Sequence, residues 1–309
     1  MPLLPLAHVS WALADNALRP ACDQFFIDVF GAETAFEMLV TPDTAQMGFD
    51  REERLMMIGD TMVIPIAAAG KGSEPDSPIG GMLRRSAGPD RWLGVSLRVA
   101  DLPAAAAWFA GRGFQLHYDP GMEDHYFLLG RKQALGVRIE VMQGELPGDP
   151  RLKPGWAAQR WRDDHPLGIE GLQSIGVSVP SLDAARAVFG QRFDWPEVAR
   201  FARAEEGADC AAFLLGDTVI EAMEPLDDSS ALARHVRDVQ GICCLTFKVR
   251  STETAAAWLR GKGLDLIGST ATRFAIAPEQ AQGRTIWLTE QTVPGYPPLG
   301  SLMTTPAVY

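Results

Sequence analysis

Apolar and polar positions alternate along the chain in a pattern that repeats about four times. Short runs with the pattern of a β-strand occupy residues 7–13, 93–99, 172–179 and 242–249. Helical patterns follow the last three runs, over residues 102–110, 182–189 and 252–260. Each helical pattern begins just after a side chain that caps helices well: Asp101, Ser181 or Ser251. More strand-like runs follow, so the pattern predicts the order β-α-β-β-β in each repeat.

Residue identities support this repeat. The segment AAAWFAGRGFQL begins at Ala105, and AAAWLRGKGLDL begins at Ala255, a shift of 150 positions. Two carboxylates further along, Glu140 and Glu290, are separated by the same shift. Because an internal repeat of this length is the signature of a duplicated structural unit, the second half of the chain should repeat the fold of the first.

The repeats predict the domain organisation. We expect a first domain of two modules over residues 1–146, a connector over 147–170, a second domain of two modules over 171–290 and an extended tail over 291–309. The first module is less regular, with a long helix over 17–30 and a loop-like stretch over 41–54. A segment over 70–91, rich in Gly, Pro and Ser, connects the first two modules.

Two segments resemble a known superfamily. GLQSIGVSVPSLDAA from Gly171 and GICCLTFKV from Gly241 are similar to the vicinal oxygen chelate superfamily, which includes glyoxalase I, bleomycin-resistance proteins, methylmalonyl-CoA epimerase and extradiol dioxygenases. The resemblance implies an α+β fold in which two βαβββ modules pair into one curved sheet around a cleft. Four modules then form two glyoxalase-like open curved sheets. The His-Tyr-Glu signature of extradiol dioxygenases has no counterpart, because no His follows His235.

The resemblance also implies a divalent metal (Fe, Mn, Zn, Ni or Co) held by the first and last strands of each module. In the N-terminal half these positions hold His8, Ile64 or Pro65, Gly94 and Glu140. In the C-terminal half they hold Ser174, Glu221, Cys244 and Glu290. A catalytic metal needs about three protein ligands, so both sets are degenerate. We expect His8 and Glu140 to be the metal ligands if a metal binds, and a protein without any metal is the equal alternative.

Strand alternation predicts which side chains share the N-terminal cleft. With His8 and Glu140 facing inward, Arg98 and Arg138 face inward too. Arginine can grip a carboxylate with two hydrogen bonds, and His8 or Glu140 can move a proton. The alternative is that the arginines lie at solvated strand ends and that His8 is a hydrogen-bonded, partly buried side chain.

In the C-terminal cleft, Glu221 lies within an apolar strand and therefore needs a partner. Lys248, on the same face as Cys244, is the expected partner and a candidate substrate-binding residue. Glu221 is then either an acid or base with a raised pKa or one half of a structural ion pair. Cys244 is expected to be a small core residue, with a ligand or nucleophile role as the alternative.

The charge and composition of the chain argue against several classes of binding partner. The chain has 28 Lys and Arg against 39 Asp and Glu, a net charge of −11, which argues against binding to nucleic acid or to anionic lipid. No apolar run approaches the roughly 18 residues that span a bilayer. Four cysteines, two of them adjacent, do not make a disulfide framework, so we expect a cytoplasmic protein. For its oligomeric state we expect a monomer or a homodimer.

The function that follows is action on a small organic molecule, aromatic or anionic, in a glyoxalase-like cleft. The resemblance implies a lyase, an isomerase or a dioxygenase-like enzyme with a degenerate metal site. Its catalytic candidates are His8, Glu140 and Glu221, and its substrate-binding candidates are Arg98, Arg138 and Lys248. The alternative is a protein that binds or sequesters a small molecule without chemistry, as bleomycin-resistance proteins do.

Overall fold

A computed structural model describes residues 4–86, 92–119, 121–144, 146 and 149–296. In this part of the chain, sixteen strands form two eight-stranded sheets. The first sheet consists of β1 (His8–Leu13), β2 (Glu33–Met38), β3 (Arg51–Ile58), β4 (Thr61–Ala68), β5 (Trp92–Val99), β6 (Leu116–His117), β7 (Tyr126–Leu129) and β8 (Arg138–Gln143). The second consists of β9 (Ile169–Ser178), β10 (Glu197–Arg203), β11 (Ala208–Leu215), β12 (Thr218–Pro225), β13 (Gly241–Val249), β14 (Leu266–Ser269), β15 (Arg273–Ile276) and β16 (Thr285–Thr289).

Eight α-helices are described. They are α1 (Arg19–Phe30), α2 (Pro42–Gln46), α3 (Pro78–Ser86), α4 (Leu102–Gly111), α5 (Gln159–Asp163), α6 (Leu182–Ala185), α7 (Ala231–Asp238) and α8 (Thr252–Gly261). The helix α6 continues as a π-helix over Arg186–Arg192. Short 3₁₀ turns lie at Asn16–Leu18, Gly70–Ser73, Arg131–Gln133, Pro150–Leu152 and Pro278–Gln280. None of the described helices is both long and apolar enough to span a bilayer.

The strand order confirms the α+β prediction of four βαβββ modules. It is β2-β3-β4-β1-β5-β8-β7-β6 in the first sheet and β10-β11-β12-β9-β13-β16-β15-β14 in the second. In every module the first strand pairs in parallel with the last, as β1 does with β4. The two modules of each half join through their antiparallel first strands, β1 with β5 and β9 with β13.

The predicted caps begin the helices of three modules. The side chains of Asp101, Ser181 and Ser251 each accept a hydrogen bond from the backbone N–H three residues later. The repeated tryptophans also have matching surroundings. The Arg112 guanidinium lies 4.0 Å from the centre of a Trp108 ring, and the Lys262 ammonium lies 4.4 Å from that of Trp258. The repeat in the sequence is therefore a repeat in the structure.

The first module differs from the expected loop over 41–54, because β3 begins at Arg51. The charged residues at the start of β3 are stable in a strand because Arg54 forms ion pairs with Glu37 of β2 at 2.6 Å and with Asp23 of α1 at 3.3 Å. The expected connector over 70–91 contains α3, which is anchored by fully buried Leu83. Residues 87–91 of that connector lie outside the described residues.

Each sheet has a helix face and a cleft face. The helix faces of both halves share one hydrophobic core, in which the Phe30 and Phe247 rings lie 6.0 Å apart and the Phe109 and Phe193 rings 5.9 Å apart. The Trp258 indole donates a 3.1 Å hydrogen bond to the Val29 carbonyl across the same boundary. The core is continuous across the two halves and therefore marks no boundary between them. The predicted domain limits stay a prediction. Of the predicted tail, residues 297–309 lie outside the described part.

Candidate functional site

Three polar side chains stand side by side on the cleft face of the first sheet. His8 of β1 is paired with Ser96 of β5, and Ser96 is paired with Glu140 of β8. The neighbours of these residues on the same strands, such as Val9 and Val141, point into the core on the other face. The Ser96 hydroxyl donates a 2.8 Å hydrogen bond to Glu140 Oε1.

Both predicted arginines lie on this face. Arg138 precedes Glu140 by two residues on β8 and is half-buried. Arg98 follows Ser96 by two residues on β5 and is buried, and its Nε donates a 2.8 Å hydrogen bond to the Pro5 carbonyl. The structure therefore places His8, Arg98, Arg138 and Glu140 on one face, as strand alternation predicted, with Arg98 held by the N-terminal segment.

The environment shifts the pKa values of the acid and the base in opposite ways. Burial raises the pKa of Glu140 above its ordinary value, although the Ser96 hydrogen bond and nearby Arg138 and Arg51 oppose that rise. Burial, together with the nearby Arg151 charge, lowers the pKa of His8 to about 3. His8 is therefore neutral at physiological pH. Its buried Nδ1 has no hydrogen-bond partner among the described residues, which does not agree with the alternative of a hydrogen-bonded histidine.

The strand β3 adds charged residues to this face that the sequence reasoning missed. Arg51, Glu53 and Leu55 lie on the same side of β3, and the two charged residues are half-buried. Burial raises the pKa of Glu53. The nearby Glu140 carboxylate also raises it, while the Arg51 charge opposes the rise. The spacing of two between Arg51, Glu53 and Leu55 is typical of a strand and could have indicated this. The charged residues of the segment led instead to the prediction of a loop.

A tyrosine on β7 extends the polar region. The Tyr126 hydroxyl donates a 2.6 Å hydrogen bond to Asp119 Oδ2, and both groups lie within electrostatic reach of Arg51. Tyr126 is also on the cleft face, since its neighbour Phe127 is buried in the helix-face core. Burial, together with this carboxylate, raises the pKa of Tyr126, so its hydroxyl remains a hydrogen-bond donor at neutral pH.

The other part of the cleft face is apolar. It consists of buried side chains from β1, β3, β4 and β5, covered by Leu83 of α3: Ala12, Leu55, Met57, Met62, Ile64, Ile66 and Leu93. The helix α3 packs across β4, β1 and β5. The first sheet thus offers an amphipathic cleft face, with hydrocarbon on one side and paired acids and bases on the other.

These residues do not fit a catalytic divalent metal. Of the predicted positions, only His8 and Glu140 supply strong donors, since Ile64, Pro65 and Gly94 supply none. The register also places Ser96, and not the predicted Gly94, between His8 and Glu140. The Ser96 hydroxyl already bonds Glu140, while arginines lie near both Glu140 and His8. In the described part of the chain, no three His, Cys, Asp or Glu side chains converge into a set that could hold a metal. A catalytic metal normally needs about three such ligands.

The second sheet closes its own cleft face with ion pairs. Arg203 of β10 donates two hydrogen bonds to Glu221, at 3.0 and 2.8 Å. Burial alone would raise the pKa of Glu221, but Arg203 and Arg273 outweigh it, so the pKa is lowered. The expectation of Lys248 as partner is wrong, because the Lys248 ammonium lies 3.1 Å from Glu170 instead. The predicted raised pKa of Glu221 is not found either.

Glu290 caps a helix. Its Oε1 accepts hydrogen bonds from the Thr252 N–H at 2.6 Å and hydroxyl at 2.9 Å, at the start of α8. Gln143 and Glu224 accept in the same way from the first residues of α4 and α6. The structural equivalent of Glu290 is therefore Gln143. Glu140 corresponds instead to Trp287, which is paired with Thr246 as Glu140 is with Ser96.

An open groove of about 490 Å³ lies outside both cleft faces, where the start of α4 meets Tyr118, Glu123 and Asp124. Its charged lining is acidic, from Glu123 and Asp124. This groove does not suit an anion and contains none of the predicted site residues.

Comparison with known proteins agrees with the fold. Residues 173–278 match the model of the Glyoxalase/Bleomycin resistance protein/Dioxygenase superfamily. A triple mutant of 4-hydroxymandelate synthase from Streptomyces coelicolor is similar in structure, with a TM-score of 0.69, 14% identity and 95% of each chain covered. Methylmalonyl-CoA epimerase from Mycobacterium tuberculosis is 25% identical over 41% of this chain and 90% of its own, with a TM-score of 0.37.

No curated protein matches the sequence significantly. The superfamily match covers the third module and the fourth module as far as β15, and the structural similarity extends over nearly all of the chain. Residues 173–278 therefore match the glyoxalase, bleomycin resistance and dioxygenase superfamily, and the chain as a whole has the paired-module fold of the vicinal oxygen chelate proteins.

Proposed function

We propose that the cleft face of the first sheet binds a small amphipathic organic anion and that Glu140 transfers a proton to or from it. The observation that carries this proposal is the half-buried Glu140 carboxylate, which is hydrogen-bonded by Ser96 and flanked by Arg138. The reaction class is an isomerisation or a lyase-type elimination at a carbon next to a carbonyl or carboxylate. These are reactions that a positioned acid or base can promote.

Charge and shape select the ligand. Arg138 and Arg51 supply positive charge on the polar side of the face, and a guanidinium can bind a carboxylate with two parallel hydrogen bonds. Met57, Met62 and Ile64 are buried beneath Leu83 of α3, so the hydrocarbon or aromatic body of the ligand takes the place of α3 on this apolar surface. Burial of apolar surface contributes about 25 cal/mol per Å². The ligand that fits both features has an anionic head and an apolar body.

The proton-transfer role follows from the environment of Glu140. An efficient general acid or base has a pKa near the working pH, and burial moves the pKa of Glu140 in that direction. Ser96 fixes the orientation of the carboxylate through Oε1, which leaves Oε2 to face the ligand. His8, neutral and beside Ser96, is the second group that can exchange a proton at this face.

The test is proton exchange into bound ligands. Small aromatic and aliphatic carboxylic acids with an acidic C–H next to a carbonyl are incubated with the protein in D₂O, and loss of that proton is followed by NMR. We expect exchange with the native chain and none with Glu140→Gln, which should still bind the ligand. Arg138→Gln should weaken binding. Arg200→Gln, on the exposed edge strand β10, is the matched control and should change neither.

A second candidate is a protein that binds or sequesters the same class of molecule without chemistry. The observation that favours it is α3, which packs across the apolar part of the cleft face and is placed to enclose a molecule bound there. The same experiment separates the two. Binding without exchange in the native chain would overturn the proton-transfer step and support sequestration. Whether the chain acts as a monomer or a homodimer stays a prediction.

A further inference from the structure

Four sulfur-bearing side chains meet on the cleft face of the second sheet. Cys210 of β11 is paired with Met223 of β12, and both belong to a small buried cluster with Cys244 of β13. Cys243 packs against that cluster, and its Sγ lies 3.8 Å from Met223 Sδ. Three of the four cysteines in the chain therefore lie together, on strands distant in sequence.

Gly176 of β9 leaves room for these sulfur atoms. A Cβ at this position would collide with Cys244 Sγ and would lie 3.0 Å from Met223 Sδ and 3.6 Å from Cys243 Sγ. The three sulfur atoms thus line one small space above the glycine. Since any other residue would fill that space, Gly176 is a requirement of the sulfur cluster.

The surroundings leave sulfur as the available donor. The two nearby carboxylates are each paired with an arginine, Glu221 with Arg203 and Glu206 with Arg273. Apolar side chains complete the cluster: Ala208, Leu232, Ala275 and Trp287. Cys210 and Cys244 are buried, whereas Cys243 is only half-buried and provides a route from the surface.

We propose that Cys243, Cys244 and Met223 form a binding site for a soft monovalent metal ion, Cu(I), with Cys210 as an adjacent thiol. Thiolate and thioether sulfur are the ligands that select Cu(I), and a monovalent soft ion is satisfied by two or three of them. This site is separate from His8 and Glu140, and the proposal does not depend on the proposed proton transfer.

Binding should release protons. The neighbouring Cys244 thiol and burial raise the pKa of Cys243 well above its ordinary value, so the metal-free Cys243 thiol is protonated at neutral pH. Because thiolate is the form that binds metal, Cu(I) must displace this proton, and its affinity should increase with pH.

The test is a competition for Cu(I) under anaerobic conditions. Reduced protein is titrated into the coloured Cu(I) complex of bicinchoninate, and loss of colour reports transfer. We expect the native chain to remove one ion per molecule and to release protons to a dye in weak buffer. Cys243→Ser and Cys244→Ser should each weaken affinity by more than about tenfold. Met223→Leu, close to methionine in volume, should weaken affinity while preserving the packing.

Cys22→Ser is the matched control. Cys22 is buried against the helix-face core of the first sheet, away from the sulfur cluster, so this variant should bind Cu(I) like the native chain. Circular dichroism identifies variants that remain folded. The proposal is wrong if the native protein leaves the bicinchoninate complex intact, if folded variants at Cys243, Cys244 and Met223 bind normally, or if Cys22→Ser loses binding equally.

Discussion

The Ser96 hydroxyl donates a hydrogen bond of 2.8 Å to Glu140 Oε1 and thereby joins the first and last strands of the second module on the cleft face. In the second sheet, the equivalent pair is Thr246 and Trp287. There the threonine hydroxyl accepts a 3.1 Å hydrogen bond from Arg273, and that guanidinium lies over the Trp287 ring. One backbone arrangement thus holds an acid in one half and an apolar ring in the other.

Ser96→Ala should raise the pKa of Glu140 further, because the Ser96 hydrogen bond favours the ionised carboxylate. It should also cost about 1–3 kcal/mol of unfolding free energy at neutral pH. Carbon-13 NMR of the glutamate carboxyls measures the pKa, with Ser10→Ala on the neighbouring strand as control. A pKa that is unchanged or lower in Ser96→Ala would contradict the assigned role.

His8 should make the protein less stable in mild acid. Its pKa is about 3 in the folded chain against an ordinary 6.5, so between these values the unfolded chain binds a proton that the folded chain does not. This contribution to stability is complete above about pH 6.5 and is lost as pH falls toward 3. The native chain should lose about 2 kcal/mol more than His8→Gln between about pH 7 and pH 5. Urea denaturation at a series of pH values measures the free energy of unfolding of both proteins. An equal loss in the two proteins as the pH falls would refute this prediction.

Arg203→Ala should be strongly destabilising, by about 3–5 kcal/mol, because it leaves the buried Glu221 carboxylate without its two hydrogen bonds. Removing both charges in Arg203→Met with Glu221→Gln should recover part of that loss. Urea denaturation measures each free energy of unfolding. Arg200→Ala, on the same strand and exposed, should cost less than about 1 kcal/mol. Equal effects of Arg203→Ala and Arg200→Ala would show that the pair is not structural.

Glu290→Ala should cost about 1 kcal/mol of stability, because α8 loses the acceptor at its first residue. Glu290→Gln should have little effect, since Gln143 caps α4 through the same oxygen. Thermal unfolding measures both variants. If Glu290→Gln were as damaging as Glu290→Ala, the charge and not the cap would be what the residue supplies.

The elements that the sequence predicted are those with a local signal. β1, β5, β9 and β13 have regular alternation, and three of the four module helices begin at a capping side chain. Helix α3 was not predicted because its glycines disfavour a helix locally, and the packing of Leu83 against strands distant in sequence stabilises it. The start of β3 was not predicted either, since the partners of Arg54 lie on α1 and β2.

The site follows the same division. Alternation was enough to place His8, Arg98, Arg138 and Glu140 on one face, because the register of the central strands keeps the residues of that face together. The partner of Glu221 was not accessible in this way. Arg203 belongs to a charged edge strand, and its place beside Glu221 depends on the pairing of β10 with β11 and of β11 with β12. Strand alternation therefore pointed to Lys248, on the same face as Cys244, instead.

The most direct test of the account is whether a ligand occupies the cleft face of the first sheet. The chain contains 11 methionines, and their ¹³C-labelled methyl groups report on both cleft faces. Met62 and Met142 lie on the first and Met223 on the second. On addition of an aromatic carboxylic acid, we predict chemical-shift changes at Met62 and Met142 that disappear in Arg138→Gln, with Met223 unchanged. Changes at Met223 without changes at Met62 and Met142 would contradict the account.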